Sequence, residues 1–254
     1  MNKCVSSNYW FRSTNPAELL GQLVKNEIGG LELCFSTPVE IAPAVEVPPW
    51  PGLLEEAKQK GLKICSLTTN QYDIFSLASD EEHIINSARQ YFNQLLDLAQ
   101  QLGPDIRVVI PAHITTPLGE VLTISYENAF NQLFQSLEKL ADAVNLRSVY
   151  LALENPGSGF LLSPLELRQL IDEINSPWVG VCFNPNQAQR LASPLDWLTI
   201  LDKRVSIIHI PGISINSYPD NKYTAADRTT NSQEAITTYL QKSVFTGPVV
   251  FQNL

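Results

Sequence analysis

Four polar side chains stand where four successive apolar runs end: Glu154 closes SVYLAL, Asn184 closes WVGVCF, His209 closes VSII and Gln252 closes GPVVF. A glutamate with a histidine can move protons near neutral pH, the carboxylate as base and the imidazole as acid or electrophile. The two carboxamides can hold a hydroxyl group by hydrogen bonds but neither take up nor release a proton. Where a metal enzyme would place carboxylates, they keep an oxygen and lose the charge.

These four residues need a scaffold that brings strand ends together. Short apolar runs recur at Cys4–Ser7, Leu31–Phe35, Leu62–Leu67, Arg107–Pro111, Val149–Glu154, Val179–Asn184, Val205–Ile210 and Val249–Gln252. Amphipathic segments separate them. Ile84, Ile85, Ala88, Tyr91, Phe92, Leu95 and Ala99 form one helical stripe, and Ala129, Phe130, Leu133, Leu137, Leu140 and Ala141 another. Asn15-Pro16-Ala17-Glu18, Ser163-Pro164-Leu165-Glu166 and Ser193-Pro194-Leu195-Asp196 carry the signature of helix starts: a capping oxygen, a proline in the first turn and an acid that suits the helix dipole. Alternating strands and helices with near-continuous apolar strands predict parallel strands covered by helices, and eight such units predict a closed (β/α)8 TIM barrel. No G-x-G-x-x-G or Walker A loop supports an open nucleotide-binding sheet. The sequence stops after its eighth strand without an eighth helix, and we expect the groove left there to be closed by other means, such as a second copy in a homo-oligomer.

In such a barrel the C-terminal strand ends line the active site, and alternation sets which residues face inward. Tyr150, Ala152 and Glu154 share a face, as do Gly180, Cys182 and Asn184, then Val205, Ile207 and His209, then Val250 and Gln252. Each inward series ends on its polar member.

Composition narrows the function classes. The chain has 254 residues, 44% hydrophobic and 17% charged, with no composition break, so one domain over 1–254 is expected. A net charge of −9 and the absence of a basic stripe exclude duplex nucleic acid as the expected partner. No apolar run reaches the ~18–20 residues of a membrane span, and MNKCVSSNYWFRST lacks the apolar core of a secretory signal, so a cytoplasmic location is expected. Cys4, Cys34, Cys65 and Cys182 each lie in a strand-like run without C-x-x-C spacing and read as buried free thiols.

The stretches LALENPGSG, VGVCFNPNQA, RVSIIHIPG and GPVVFQNL, with GGLELCF and GLKICSL before them, resemble the xylose-isomerase-like family of TIM barrels along nearly the whole chain. That family contains sugar isomerases, sugar epimerases and endonuclease IV. The resemblance implies a divalent cation (Mn²⁺, Mg²⁺ or Co²⁺) at Glu154, Asn184, His209 and Gln252, with proton transfer between neighbouring carbons through an enediolate. By position, Asn184 and Gln252 stand where the family has an aspartate and a glutamate, and Gln187 where it commonly has a histidine. Each charge lost beside a dication is worth several kcal/mol, about a thousandfold in affinity. The resemblance therefore implies a degenerate metal site with weak or absent binding, Glu154 as base and His209 as acid or electrophile. A sugar, free or phosphorylated, or a polyol is the expected small-molecule partner. The alternative is a carbohydrate-binding or regulatory barrel without turnover.

Further substrate contacts are expected from Glu32 on the second strand, Asn155 beside Glu154, Gln187, His113 after the fourth strand, and Asn8 and Trp10 after the first. An aromatic such as Trp10 can stack on the C–H face of a sugar. Ile213–Ser232, with Lys222 and Arg228, reads as a loop over the barrel mouth.

Overall fold

The computed structural model describes residues 2–7, 16–35, 52–69, 76–112, 114, 124–155, 159–210, 236 and 238–252. Its strands are β1 (Asn2–Ser6), β2 (Gly30–Phe35), β3 (Lys63–Thr69), β4 (Arg107–Pro111), β5 (Tyr150–Glu154), β6 (Val179–Phe183), β7 (Val205–Ile210) and β8 (Pro248–Phe251). All pair in parallel in sequence order, and β1 closes the barrel on β8 through Cys4↔Val250 while pairing β2 through Cys4↔Gly30. Each strand lies within two residues of its sequence-based position. The helices among the described residues include α1 (Pro16–Lys25), α2 (Leu53–Gln59), α3 (Glu82–Leu102), α4 (Tyr126–Arg147), α5 (Pro164–Ile174), α6 (Pro185–Ala188) and α7 (Pro194–Leu201). Residues 238–242 are also helical, ahead of β8. Among the described residues β8 is the last element.

Burial on both faces explains the apolar strands: every residue of β2 and β6 is buried. The inner layer is small to medium, with Cys4, Cys65, Val109, Ala152, Cys182, Ile207 and Val250 filling the barrel axis. The outer layer joins strands to the helix stripes, where Ala88, Phe92, Leu95 and Ala99 of α3 meet Ala129, Leu133, Leu137 and Leu140 of α4. All four cysteines are buried free thiols. Ser163 forms the expected capping box with Glu166, accepting from its backbone N–H at 3.2 Å while Glu166 accepts from the Ser163 N–H at 3.1 Å. Ser193 differs: its side chain makes no cap bond, and α7 starts on Pro194, whose fixed φ suits the first turn. Asn15 and the Ile213–Ser232 segment with Lys222 and Arg228 lie outside the described residues.

Two register shifts shape the interior. Val181 pairs Val205 but Cys182 pairs Ile207, so Ser206 is an extra residue in β7. Leu31 pairs Ile64 but Glu32 pairs Ser66, so Cys65 is an extra residue in β3. Such a bulge re-aims the residues after it. Cys65 stays in the barrel core while Ser66 also reaches the Glu32 side chain.

Two glycines sort into opposite responses. A Cβ at Gly247 would strike the Ser206 carbonyl oxygen and the Phe245 ring, whereas a Cβ at Gly21, inside α1, meets nothing within 4 Å. In chemical denaturation, Gly247→Ala should lower the unfolding free energy by about 1–3 kcal/mol. Gly21→Ala should raise it by about 0.5–1 kcal/mol.

Candidate active site

The strand ends converge as alternation requires. Glu154 closes β5, His209 stands one residue before the end of β7, Asn184 and Gln252 follow β6 and β8, and Glu32 points in from β2. Glu32, Asn155, Asn184, His209 and Glu154 are all buried. His209 Nε2 lies 2.8 Å from Glu32 Oε2, which also accepts the Ser66 hydroxyl at 2.8 Å. The other imidazole nitrogen, Nδ1, lies 3.5 Å from Glu154 Oε1 and 3.2 Å from Gln252 Nε2. Asn184 Nδ2 donates to Glu154 Oε1 at 2.8 Å. The bonds to Glu154 run through Oε1, and among the described residues none reaches Oε2.

Asn184 has a second duty. It is the N-cap of α6, its Oδ1 accepting from the backbone N–H groups of Asn186 at 3.1 Å and Gln187 at 3.4 Å. That bond set fixes the amide: turning it over would break both cap bonds and aim an NH2 group at two N–H donors. Asn155 locks the same corner, accepting from the Asn184 N–H at 2.6 Å and donating to the Asn184 carbonyl at 3.1 Å. Asn155 thus positions β6 against β5 instead of reaching outward. Gln187 is half-buried, with its Oε1 buried and without a hydrogen-bond partner among the described residues. Asn8, Trp10 and His113 lie outside the described residues. Sequence reasoning missed Ser66, which the β3 bulge brings in, and gave Cys182 no part beyond a core thiol, although its sulfur lies within 4.8 Å of an imidazole nitrogen of His209 and a carboxylate oxygen of Glu154.

Electrostatics follow from this packing. Burial on its own raises the Glu32 carboxyl, but the His209 charge and hydrogen bonds from His209 and Ser66 outweigh it and hold the pKa below the usual value. Burial opposes the imidazolium of His209, yet Cys182, Glu32 and Glu154 around it raise its pKa well above the ordinary one. Burial pushes the Cys182 thiol up to about 12. The site therefore carries its own cation, the His209 imidazolium, between the Glu32 and Glu154 carboxylates. When Nδ1 holds its proton, the Gln252 carboxamide must present oxygen to it; when Nδ1 is bare, it presents N–H.

A cavity of about 760 Å³ lies at the other end of the barrel, where Arg107, Tyr150, Val179 and Val205 begin their strands. In this fold chemistry sits at the C-terminal strand ends, so that cavity is not the active-site candidate.

The closed parallel eight-stranded sheet defines a (β/α)8 barrel, with a buried carboxylate–imidazole set at its C-terminal mouth. The chain belongs to the xylose isomerase-like TIM barrel family, whose model matches residues 22–248. No curated protein matches the chain in sequence. Solved structures share its fold. The IOLI protein with a bound zinc atom is 18% identical with a TM-score of 0.73, over 99% of this chain and 88% of that one. The 3-keto-D-glucoside 4-epimerase YcjR from E. coli is 14% identical with a TM-score of 0.72, over 99% and 91%. D-psicose 3-epimerase from Clostridium cellulolyticum H10, solved with D-tagatose, is 14% identical with a TM-score of 0.70, over 99% and 84%.

The divalent cation that the family implies at Glu154, Asn184, His209 and Gln252 meets a donor set that does not suit it. Asn184 commits its oxygen to α6 and turns an NH2 group toward Glu154, where an aspartate would present oxygen. Gln252 brings a neutral carboxamide to His209. Mg²⁺ and Mn²⁺ need anionic oxygens in these places.

Two outcomes test this electrostatic picture. The folded pKa of His209 lies above its unfolded value of about 6.5, so its contribution is complete below that pH and is lost as pH rises through the folded value. The folded pKa of Glu32 lies below its unfolded value of about 4.5, so its contribution is complete above that pH and is lost as pH falls through the folded value. Measured against the Glu32→Gln/His209→Gln double variant, wild-type unfolding free energy should peak at about pH 4.5–6.5 and fall by up to about 1.4 kcal/mol per pH unit above it. Restoring carboxylates by Asn184→Asp with Gln252→Glu should lower the thermal midpoint without cation, since the carboxylate introduced after β6 would face Glu154 as a like charge. Millimolar Mn²⁺ should recover it, whereas the wild-type midpoint should not respond to Mn²⁺.

Proposed function

We propose that the chain is a sugar isomerase or epimerase that moves a proton between adjacent carbons through an enediolate. Glu154 is the base and His209 the acid or electrophile. The observation that carries this reading is the unshared oxygen of Glu154: Oε1 is held by Asn184 and faces His209, while Oε2 has no hydrogen-bond partner among the described residues and the side chain is 10% exposed at the mouth. A carboxylate so held has one fixed oxygen and one that can accept a substrate proton. The imidazolium of His209, steadied by Glu32, supplies positive charge where an enediolate oxygen develops. The polar lining suits an open-chain ketose or aldose with a hydroxyl group on the carbon next to its carbonyl. The family supports this reading, and the fold neighbours bearing epimerase names add a second line of support. No step runs through a bound cation.

A second reading, a carbohydrate-binding barrel without turnover, draws on the two carboxamides. Gln252 occupies a place from which a glutamate could return a proton to the opposite face, and it cannot do so. A one-base isomerisation survives this loss better than a two-base epimerisation.

Proton exchange separates the two. A panel of ketoses and aldoses, including D-fructose, D-tagatose and D-psicose, incubated with the protein in D2O should show deuterium entering the carbon next to the carbonyl by NMR. Glu154→Gln should slow this by at least about 100-fold while leaving sugar binding within a few-fold by calorimetry. Binding without exchange in the wild type would favour the binding barrel; neither binding nor exchange across the panel would remove the sugar reading.

A further inference from the structure

We propose that Glu154, Cys182 and His209 form a three-ligand site for a borderline-soft divalent cation, Zn²⁺ or Co²⁺, set deeper in the barrel than the strand-end positions at which a hard cation is expected. The three residues are buried, and one ligand atom from each lies within 4.8 Å of the other two. Cys182 is the inward residue preceding Asn184 on β6, about 6.6 Å further down at ~3.3 Å per residue. The set therefore replaces the neutralised Asn184 by a thiol from the layer below it.

Two details of the geometry point to ligation. The first is the imidazole. Its Nε2 is committed to Glu32, which the Ser66 hydroxyl steadies in turn, so Nδ1 is the nitrogen left facing Glu154 and the barrel axis. A carboxylate on the far nitrogen fixes ring and tautomer, as it does behind metal-bound histidines, and makes the near nitrogen a better ligand. The second is the 3.5 Å from Nδ1 to Glu154 Oε1. That is long for a hydrogen bond but matches the edge of a tetrahedron whose ligands stand ~2.1 Å from its centre, about 3.4 Å.

Ligand chemistry then selects the cation. A thiolate, an imidazole and a carboxylate are a zinc-type set, and three protein ligands leave a fourth position open. Mg²⁺ and Mn²⁺ prefer oxygen and gain little from sulfur. With no cation nearby, burial keeps Cys182 protonated, its pKa about 12. A dication drives off the thiol proton and the Nδ1 proton of the imidazolium, leaving Nε2–H on Glu32, so loading releases protons and tightens with pH. The thiolate and Glu154 together neutralise the dication, which the carboxamides could not do. Gln252 yields Nδ1 on loading. Cation binding here stands whether or not a sugar is turned over.

Cobalt reports on sulfur ligation directly. Titrated with Co²⁺, the chelator-treated full chain should take up one equivalent and show the near-ultraviolet thiolate-to-cobalt charge-transfer absorption. Stoichiometric Zn²⁺ should abolish it, and a hundredfold excess of Mg²⁺ or Mn²⁺ should not. Cys182→Ser should lose the absorption and weaken Co²⁺ binding by about a hundredfold or more, whereas Cys34→Ser should keep both. Cys182→Ala serves where serine compromises folding, as judged by circular dichroism. No Co²⁺ uptake, uptake without charge transfer, absorption retained in both Cys182 variants, or displacement by Mn²⁺ would each overturn the proposal.

Discussion

The contact between His209 and Glu32 is the constraint on which the site depends. It ties β7 to β2 across the inside of the barrel at 2.8 Å, between two residues that are almost completely buried. A lone buried carboxylate or a lone buried imidazolium would each cost several kcal/mol in desolvation. Each is tolerated because the other is there, and because Ser66 satisfies part of the carboxylate. Once the imidazole plane is set by this pair, the position of Nδ1 is set as well. Glu154 and Gln252 then meet around that nitrogen, with the Cys182 sulfur within 4.8 Å of the ring.

A second fixed corner stands opposite. Asn184 and Asn155 clamp the ends of β5 and β6 with two hydrogen bonds, and Asn184 continues into α6 as its cap. The charge that an aspartate would bring at 184 is absent, but its shape and acceptor are retained. The asparagine also gains an N–H donor that an aspartate lacks and commits it to Glu154. Neutralisation here therefore changes the electrostatics of the site while preserving its mouth. That is why the strand ends still converge in a chain whose donor set has departed from the one its family implies.

Much of this was legible in the residues, for a physical reason: strand alternation is a short-range rule, and it correctly placed Ala152, Cys182, Ile207 and Val250 inside with polar residues at their ends. The helix stripes were legible by the same kind of local periodicity, and the cap at Ser163 by its local chemistry. What escaped is long-range or irregular. Nothing local couples Glu32 to His209, which are 177 residues apart. Nothing in KICSLTT announces that Cys65 is a bulge, and plain alternation cannot turn both Cys65 and Ser66 inward. One signal was present and unread: Asn184-Pro185 is a capping residue followed by a first-turn proline, the same grammar as Ser163-Pro164, and it marks a helix only four residues long.

The cap also bears on how the site could have changed its cation without losing its fold. A hard-cation set needs carboxylates at the mouth, where Asn184 and Gln252 now are. A soft set needs a thiol one layer down, where a small residue must in any case fill the barrel axis. Cysteine serves both purposes at 182: as a buried apolar group among Ala152, Ile207 and Val250 it packs like its neighbours, and beside His209 it is a latent ligand. With carboxamides at 184 and 252 there is no like-charge repulsion from those positions, and the His209 imidazolium offsets one of the two carboxylates beside it. A cation held only by the folded barrel would add to its stability by mass action, on top of the packing that closes the sheet.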